Sequence, residues 1–273
     1  MGRYTKILAF LLALFLLISA CEGAEETEEE VHAAPTLAAA LVREYIAQNG
    51  AVSFCFSPLA AYRAQYTRGA EDICIPSEDS RRFSRLFSAY AGSWSLRELF
   101  PAYTVSEDFR PDGGSSMTAD FLRQETASQC RVAEGSGYTA VSLPLEDGGS
   151  VRLILPDKGL RLAELPFDEA LAADDAMPFS MVPCRVSFPV IRWEGTVRLP
   201  ADALAADRKG ESYIQTLSLT VGFAGVNTSD RGTGQYYGEQ YTEYLNLVFD
   251  RPFLYRIEDA QGAVRYVGIY AEP

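Results

Sequence analysis

The chain has 273 residues, 24 Lys+Arg against 37 Asp+Glu, a net charge of −13 and a pI near 4.6. An acidic balance of this size opposes binding to nucleic acid, while 48% hydrophobic and 22% charged residues make a globular chain long enough to bury a core. The one histidine, His32, falls in an acidic segment, which leaves the expected folded part without an imidazole base or metal ligand.

Arg3 and Lys6 precede an almost wholly apolar run over residues 7–20. These are the n-region and h-region of a signal peptide, too short to span a bilayer comfortably. The run ends Ile18-Ser19-Ala20-Cys21, small residues before a cysteine, the pattern of a bacterial lipobox. Residues 1–20 are thus expected to be cleaved, leaving Cys21 as a lipid-bearing N-terminus; an ordinary secretory signal with an incidental cysteine is the alternative. Each acyl methylene buried in a bilayer contributes roughly 0.8 kcal/mol, so several chains hold a protein there. Residues 21–33 then form an acidic lipidated tether, in which six glutamates between Glu22 and Glu30 repel one another into an extended spacer. The expected location is extracytoplasmic, lipid-anchored to the cell membrane, with the folded domain over residues 34–273.

Leu37, Leu41, Val42, Tyr45 and Ile46 recur at helical spacing, with Pro35 near the start and Asn49-Gly50 as the stop. Residues 52–56 read as a short buried strand. Ser57-Pro58 opens a second helix, Ser57 as N-cap and Pro58 at the first helical position. Residues 138–145 and 151–155 flank Asp147-Gly148-Gly149 and read as a hairpin. Residues 160–173 are expected to be helical, interrupted by Pro166. Strands follow over 185–190, 193–199 and 217–226, with a short helix over 200–208. Two last strands, 244–259 and 263–270, pair around Gln261-Gly262. Helices first and antiparallel strands after them make an α+β domain.

Beyond Cys21 there are four cysteines, Cys55, Cys74, Cys130 and Cys184, which allow three complete pairings that spacing does not distinguish. Cys55, inside an apolar run, reads as an inert buried thiol. No CxxC, GxSxG, HExxH or GxGxxG occurs, so no metal site, cofactor site or catalytic residue is assigned and no enzyme is expected. Asp174-Asp175 reads as a solvated charge pair.

Several short motifs occur in a fixed order: Phe56-Ser57-Pro58-Leu59, Gly69-Ala70, Gly92-Ser93-Trp94, Asp112-Gly113, Leu143-Pro144-Leu145, Phe188-Pro189, and the run Phe249-Asp250-Arg251-Pro252-Phe253-Leu254-Tyr255-Arg256-Ile257. Together they resemble the serpin family, and the chain is identified as a shortened member of it. The resemblance implies a serpin-like fold with a reduced helical part and a narrowed central antiparallel or mixed β-sheet packed on a second sheet. It also implies a serine-protease inhibitor that offers an exposed reactive loop as bait. In the family that loop, once cut, inserts into the central sheet.

The matching hinge is Gly232, Thr233 and Gly234. Tyr236 and Tyr237 follow, with large rings where the family has small side chains. Overpacking costs about 1–3 kcal/mol even for added methylenes, so these rings oppose insertion. A cleavable bond is expected at Tyr241 or Tyr244, which suits chymotrypsin-like proteases, and Tyr236, Tyr237, Tyr241, Tyr244 and Leu245 form the candidate protease-contact loop. The family's polar cluster that guards sheet opening keeps Ser57. Its second serine is Ala60, and its asparagine and histidine positions fall near Leu86 and Thr220. The partner is expected to be a serine protease; the alternative is a non-inhibitory binding protein for another surface protein. Other expectations are membrane contact through the lipid, no nucleic acid and a monomeric state.

Overall fold

In the computed structural model the structure describes residues 28–59, 61, 85–87, 96–98, 100, 103–125, 127–145, 148–172, 177–200, 212–221 and 243–273. Helix α1 (Glu28–Asn49) is followed by strand β1 (Phe54–Phe56), whose three side chains are all buried. Alternation along a strand sends neighbouring side chains to opposite faces. Phe54 and Phe56 accordingly pack beneath α1 with Leu41, Val42 and Ile46, and Cys55 joins the core on the other side. The Tyr45 ring of α1 lies 4.0 Å from the Phe54 ring. Fully burying each such aromatic contributes about 1.5–3 kcal/mol.

The main body is a ten-stranded sheet. Strand β1 pairs with β14 (Val264–Tyr270), and the order continues through β13 (Phe253–Glu258), β8 (Ser150–Pro156), β7 (Tyr138–Pro144), β6 (Ser128–Gly135), β9 (Ser180–Pro189), β5 (Met117–Arg123) and β4 (Val105–Phe109). The tenth strand, β12 (Leu245–Val248), runs parallel to β9. Cys184 of β9 pairs with Ser128 of β6 and with Leu245 of β12, and Ser187 pairs with Arg123 of β5 and with Val248 of β12. A strand has two edges, so β5 and β6 lie in line along one edge of β9 and β12 occupies the other.

Strands β13 and β14 are covered on both faces, which explains their nearly continuous apolar sequence. Gly268 sits between Cys55 of β1 and Tyr255 of β13. A Cβ there would collide with the Tyr255 ring and the Phe54 carbonyl, so the Tyr255 hydroxyl can cross over the glycine and donate to Phe54 O at 3.4 Å.

Two smaller sheets accompany the main one: β10 (Ile191–Pro200) with β11 (Ser212–Val221), and β2 (Arg85–Phe87) with β3 (Leu96–Glu98). The β10–β11 pair is in register from Ile191↔Val221 to Pro200↔Ser212. Its inner residues Ile191, Leu219 and Val221 join the core beside Cys55, while Arg192, Glu194, Thr196 and Arg198 alternate outward. The architecture is thus mixed, with a large mainly antiparallel sheet, a narrow second sheet packed on it, and few helices.

Three expectations change, and one holds. Helix α1 starts at Glu28, so residues 28–33 are helical instead of an extended spacer. Glutamate is a good helix former and stabilises the positive end of the helix dipole. The interruption expected at Pro166 is present: a 3₁₀ turn (Leu162–Glu164) and the four-residue α2 (Phe167–Ala170) lie on either side of Pro166, which lacks the N–H needed to continue. Strand β11 begins at Ser212, five residues before the expected 217; residues 222–226 lie outside the described residues. The expected long strand over 244–259 is two, β12 and β13, because the chain turns at Asp250-Arg251-Pro252. Arg251 secures that turn by donating from Nη2 to Pro156 O at 2.7 Å, and Arg110 N–H donates to Asp250 O at 2.7 Å. Among the described residues no helix is long and apolar enough to cross a membrane.

Candidate functional site

The segment expected to be the bait connects β11 to β12. Of its site residues, Gly232, Thr233, Gly234, Tyr236, Tyr237 and Tyr241 lie outside the described residues, as do Cys21 and Ala60. Tyr244 and Leu245 are described, and they mark where the segment rejoins the fold. Tyr244 is 45% exposed. Leu245 packs against the core and opens β12 on the edge of β9. Within four residues the chain is pinned: Leu247 is buried, the Phe249 ring is fully buried 5.2 Å from the Phe253 ring, and Phe249 N–H donates to Ser187 O at 2.9 Å. At the other end β11 enters the core through Leu219 and Val221.

Ser57 sits where β1 gives way to a helical turn. Its carbonyl accepts the Ala61 N–H at 3.1 Å, and its own N–H donates to Gln215 Oε1 at 2.7 Å. Ser57 and Gln215 are 6% and 2% exposed. Leaving a buried polar group unpaired costs about 1–3 kcal/mol, so the narrow sheet is held against the end of β1 by a bond whose loss matters. Thr220, near which the resemblance puts the family's histidine position, is exposed and pairs with Arg192 on the outer face. Alternation is the reason. Positions 215, 219 and 221 face inward, and Gln215 is the polar member of that set. The same alternation, read from Leu217, Leu219 and Val221, is a sequence signal for Gln215. Leu86 pairs with Arg97 between β2 and β3.

A second buried polar group was not legible as a site. Arg152 of β8 and Arg256 of β13 are directly opposed and essentially unexposed. Arg152 Nη1 donates to Ala172 O at 2.6 Å, and Arg256 Nη1 donates to Leu171 O and Ala172 O, each at 2.6 Å. Arg256 also pairs with Glu258, which accepts from Ser150 Oγ at 3.2 Å. Burial lowers the Arg152 guanidinium to about 10 and holds Arg256 well below its usual range. The Phe179 ring lies 4.8 Å from the Arg131 guanidinium and 5.3 Å from that of Arg152. These arginines fasten the end of α2 to the sheet by capping its free carbonyls.

Cys55, Cys130 and Cys184 are buried free thiols. Burial pushes Cys55 up to about 12, the behaviour of an inert thiol. No group of three metal-binding side chains occurs among the described residues.

No family model matches the chain. A curated protein of Oryza sativa subsp. japonica, named "Putative serpin-Z12", is 24% identical over 300 residues, covering 88% of this chain and 68% of its own length. The solved structure of Serpin48, a highly specific serpin of the insect Tenebrio molitor, superposes with a TM-score of 0.60 at 11% identity, covering 92% of this chain and 100% of that one. The native state of the thermophilic serpin Tengpin gives 0.62 at 11% identity, with 92% and 96% covered. The fold is a reduced serpin fold.

Proposed function

From a chain with the serpin fold and a serpin relative along most of its length, we propose an inhibitor of serine-type proteases whose bait is the segment between β11 and β12. The observation that carries this reading is the anchoring of the segment's return: Tyr244 is exposed, and Leu245, Leu247 and Phe249 hold the chain on β9 immediately after it. A bait tethered so close to its cleavable bond stays positioned in a protease cleft at little entropic cost.

In this reading the segment acts as a substrate-like plug with Tyr241 or Tyr244 in the specificity pocket of a chymotrypsin-like enzyme. Insertion of the cut loop into the sheet is opposed by Tyr236 and Tyr237. The protein itself catalyses nothing. Cys21 carries lipid, and the inhibitor works as a monomer outside the cytoplasm, at the membrane surface. Substituting Cys21→Ala is expected to release the protein from the membrane fraction.

The test is incubation with chymotrypsin, following hydrolysis of a small chromogenic substrate and mapping cuts by mass. Slowed hydrolysis that recovers after dilution, with cleavage at Tyr241 or Tyr244 and no SDS-resistant complex, is the expected result. Full protease activity at saturating protein overturns it.

A second reading is a non-inhibitory binding protein for another surface protein. It is favoured by the four tyrosines within residues 236–244, because tyrosine offers large contact area at low entropy cost. Under this reading cleavage of the segment abolishes partner capture and leaves every protease tested unaffected.

A further inference from the structure

Strands β6 and β9 carry two thiols on one buried face. Ser128 is directly opposite Cys184, and Cys130 is opposite Val182. Opposed residues share a face, and so do residues two apart, which makes Cys130 and Cys184 diagonal neighbours on the core side. They are 4% and 0% exposed, and each thiol perturbs the other's acidity.

The polar surroundings of Cys130 set it apart from Cys55. The Ser128 hydroxyl is 3.7 Å from Cys130 Sγ, and Gln124 Nε2 donates to Ser128 Oγ at 3.2 Å. Gln124 stands at the joint where β5 hands over to β6 along β9. Its side-chain oxygen accepts Val186 N–H at 2.8 Å, taking a place that a ladder carbonyl would hold. The Cys184 thiol, ahead of the Ser128 and Gln124 side chains, holds Cys130 below the ordinary thiol value, and Cys184 is pushed well above it. Cys130 is thus suited to reacting first, and Cys184 keeps its proton until oxidation removes the charge on Cys130 that holds it there.

We propose that Cys130 and Cys184 are an oxidation site at which a peroxide closes a cross-strand disulfide tying β6 to β9. The Cys130 thiolate attacks one peroxide oxygen; the O–O bond breaks, hydroxide leaves and takes up the proton that Cys130 released, and Cys130 becomes a sulfenic acid. Cys184 then attacks the Cys130 sulfur. The S–S bond forms as the S–O bond breaks, and the departing hydroxide takes the Cys184 proton. Two thiols and one peroxide give one disulfide and two waters, the peroxide being the species reduced. Cys130 is 4% exposed, so the peroxide reaches it through local opening of the strand that carries it. The cross-link fastens the strand whose far edge holds β12, and so braces the return of the bait segment. The inference stands on the β6–β9 geometry and does not depend on the protease reading.

The experiment treats the full chain with hydrogen peroxide, alkylates remaining thiols and maps peptides without reduction. The expected result is a peptide pair linked through Cys130 and Cys184, a loss of two hydrogens in intact mass, and a melting temperature that rises on oxidation and falls back with dithiothreitol. Cys184→Ala is expected to stall Cys130 as a sulfenic acid trapped by dimedone, a signature that a packing role would not produce. Cys130→Ser should leave Cys184 reduced. Linkage of either thiol to Cys74 or Cys55 in the native protein, a sulfinic acid at Cys130 without a linked pair, or an unoxidised pair overturns the proposal. The wild-type map decides the matter even where a variant does not fold.

Discussion

Ser57 and Gln215 stand 158 positions apart in the chain, and the Ser57 N–H donates to Gln215 Oε1 at 2.7 Å. The bond joins the end of β1, in the large sheet, to the middle of β11, in the narrow one. Replacing Gln215 with Leu keeps the bulk and removes the acceptor. That variant is expected to lose about 1–3 kcal/mol of stability, read from urea unfolding. An unchanged midpoint would show that the amide is not what holds the two sheets together.

Gly268 provides the clearance for the Tyr255 ring over the adjoining strand. Gly268→Ala forces that ring or the Phe54 carbonyl to move. The expected loss is about 1–3 kcal/mol, the range for overpacking a core, measured by thermal or chemical unfolding. Gly268→Ala combined with Tyr255→Phe should not recover it, since the ring edge also meets the new methyl.

Phe249 closes the return of the segment between β11 and β12. Phe249→Ala is expected to cost about 3–5 kcal/mol and to speed cutting of the segment by proteases with no aromatic preference. Limited proteolysis followed by mass analysis checks the second effect independently of the first.

Alkaline stability follows from Cys55. Its folded pKa is raised from 9.0 to about 12 by burial, so above pH 9 the unfolded state releases a proton that the native state retains. The stabilisation is complete below pH 9 and is lost as pH rises toward about 12. Tyr138 and Tyr270, each raised from 10.0 to about 12 with burial as the leading cause, act in the same direction above pH 10. Cys55→Ala should flatten the decline that begins at pH 9 in urea titrations, and an identical slope in the variant would refute the assignment.

Under the proposed function, the bulk of Tyr236 and Tyr237 makes a distinction in the segment between β11 and β12. Cutting the wild-type segment is expected to leave the melting temperature unchanged, because no new strand is added. The double substitution Tyr236→Ala and Tyr237→Ala should let the cut segment enter the sheet and raise the melting temperature. Calorimetry before and after cleavage reads the difference.

Much of the sheet was legible in the sequence. The hairpin at Asp147-Gly148-Gly149 was marked by its turn residues, and Gly148 takes φ +89° as such a turn requires. Phe-Cys-Phe read as a buried strand because all three side chains are apolar. The split at Asp250-Arg251-Pro252 was missed, since 244–259 is apolar on both sides of it and only the carbonyl of Pro156, 95 positions away from Arg251, shows why the chain turns there. Gln215 was missed for a different reason: it lies before the 217–226 expected for its strand, so the alternation that turns it inward was not extended to it.

Composition and local periodicity, which act between near neighbours, determined by themselves the strand-rich α+β character, the turns and the residues able to enter the core. Which polar groups meet was decided only by tertiary structure. The Ser57–Gln215 bond, the opposed Arg152 and Arg256, and the thiols of Cys130 and Cys184 each depend on register between strands distant in sequence. Register is a collective property of a whole sheet: every pairing along a strand shifts together, so no single residue's chemistry announces its partner.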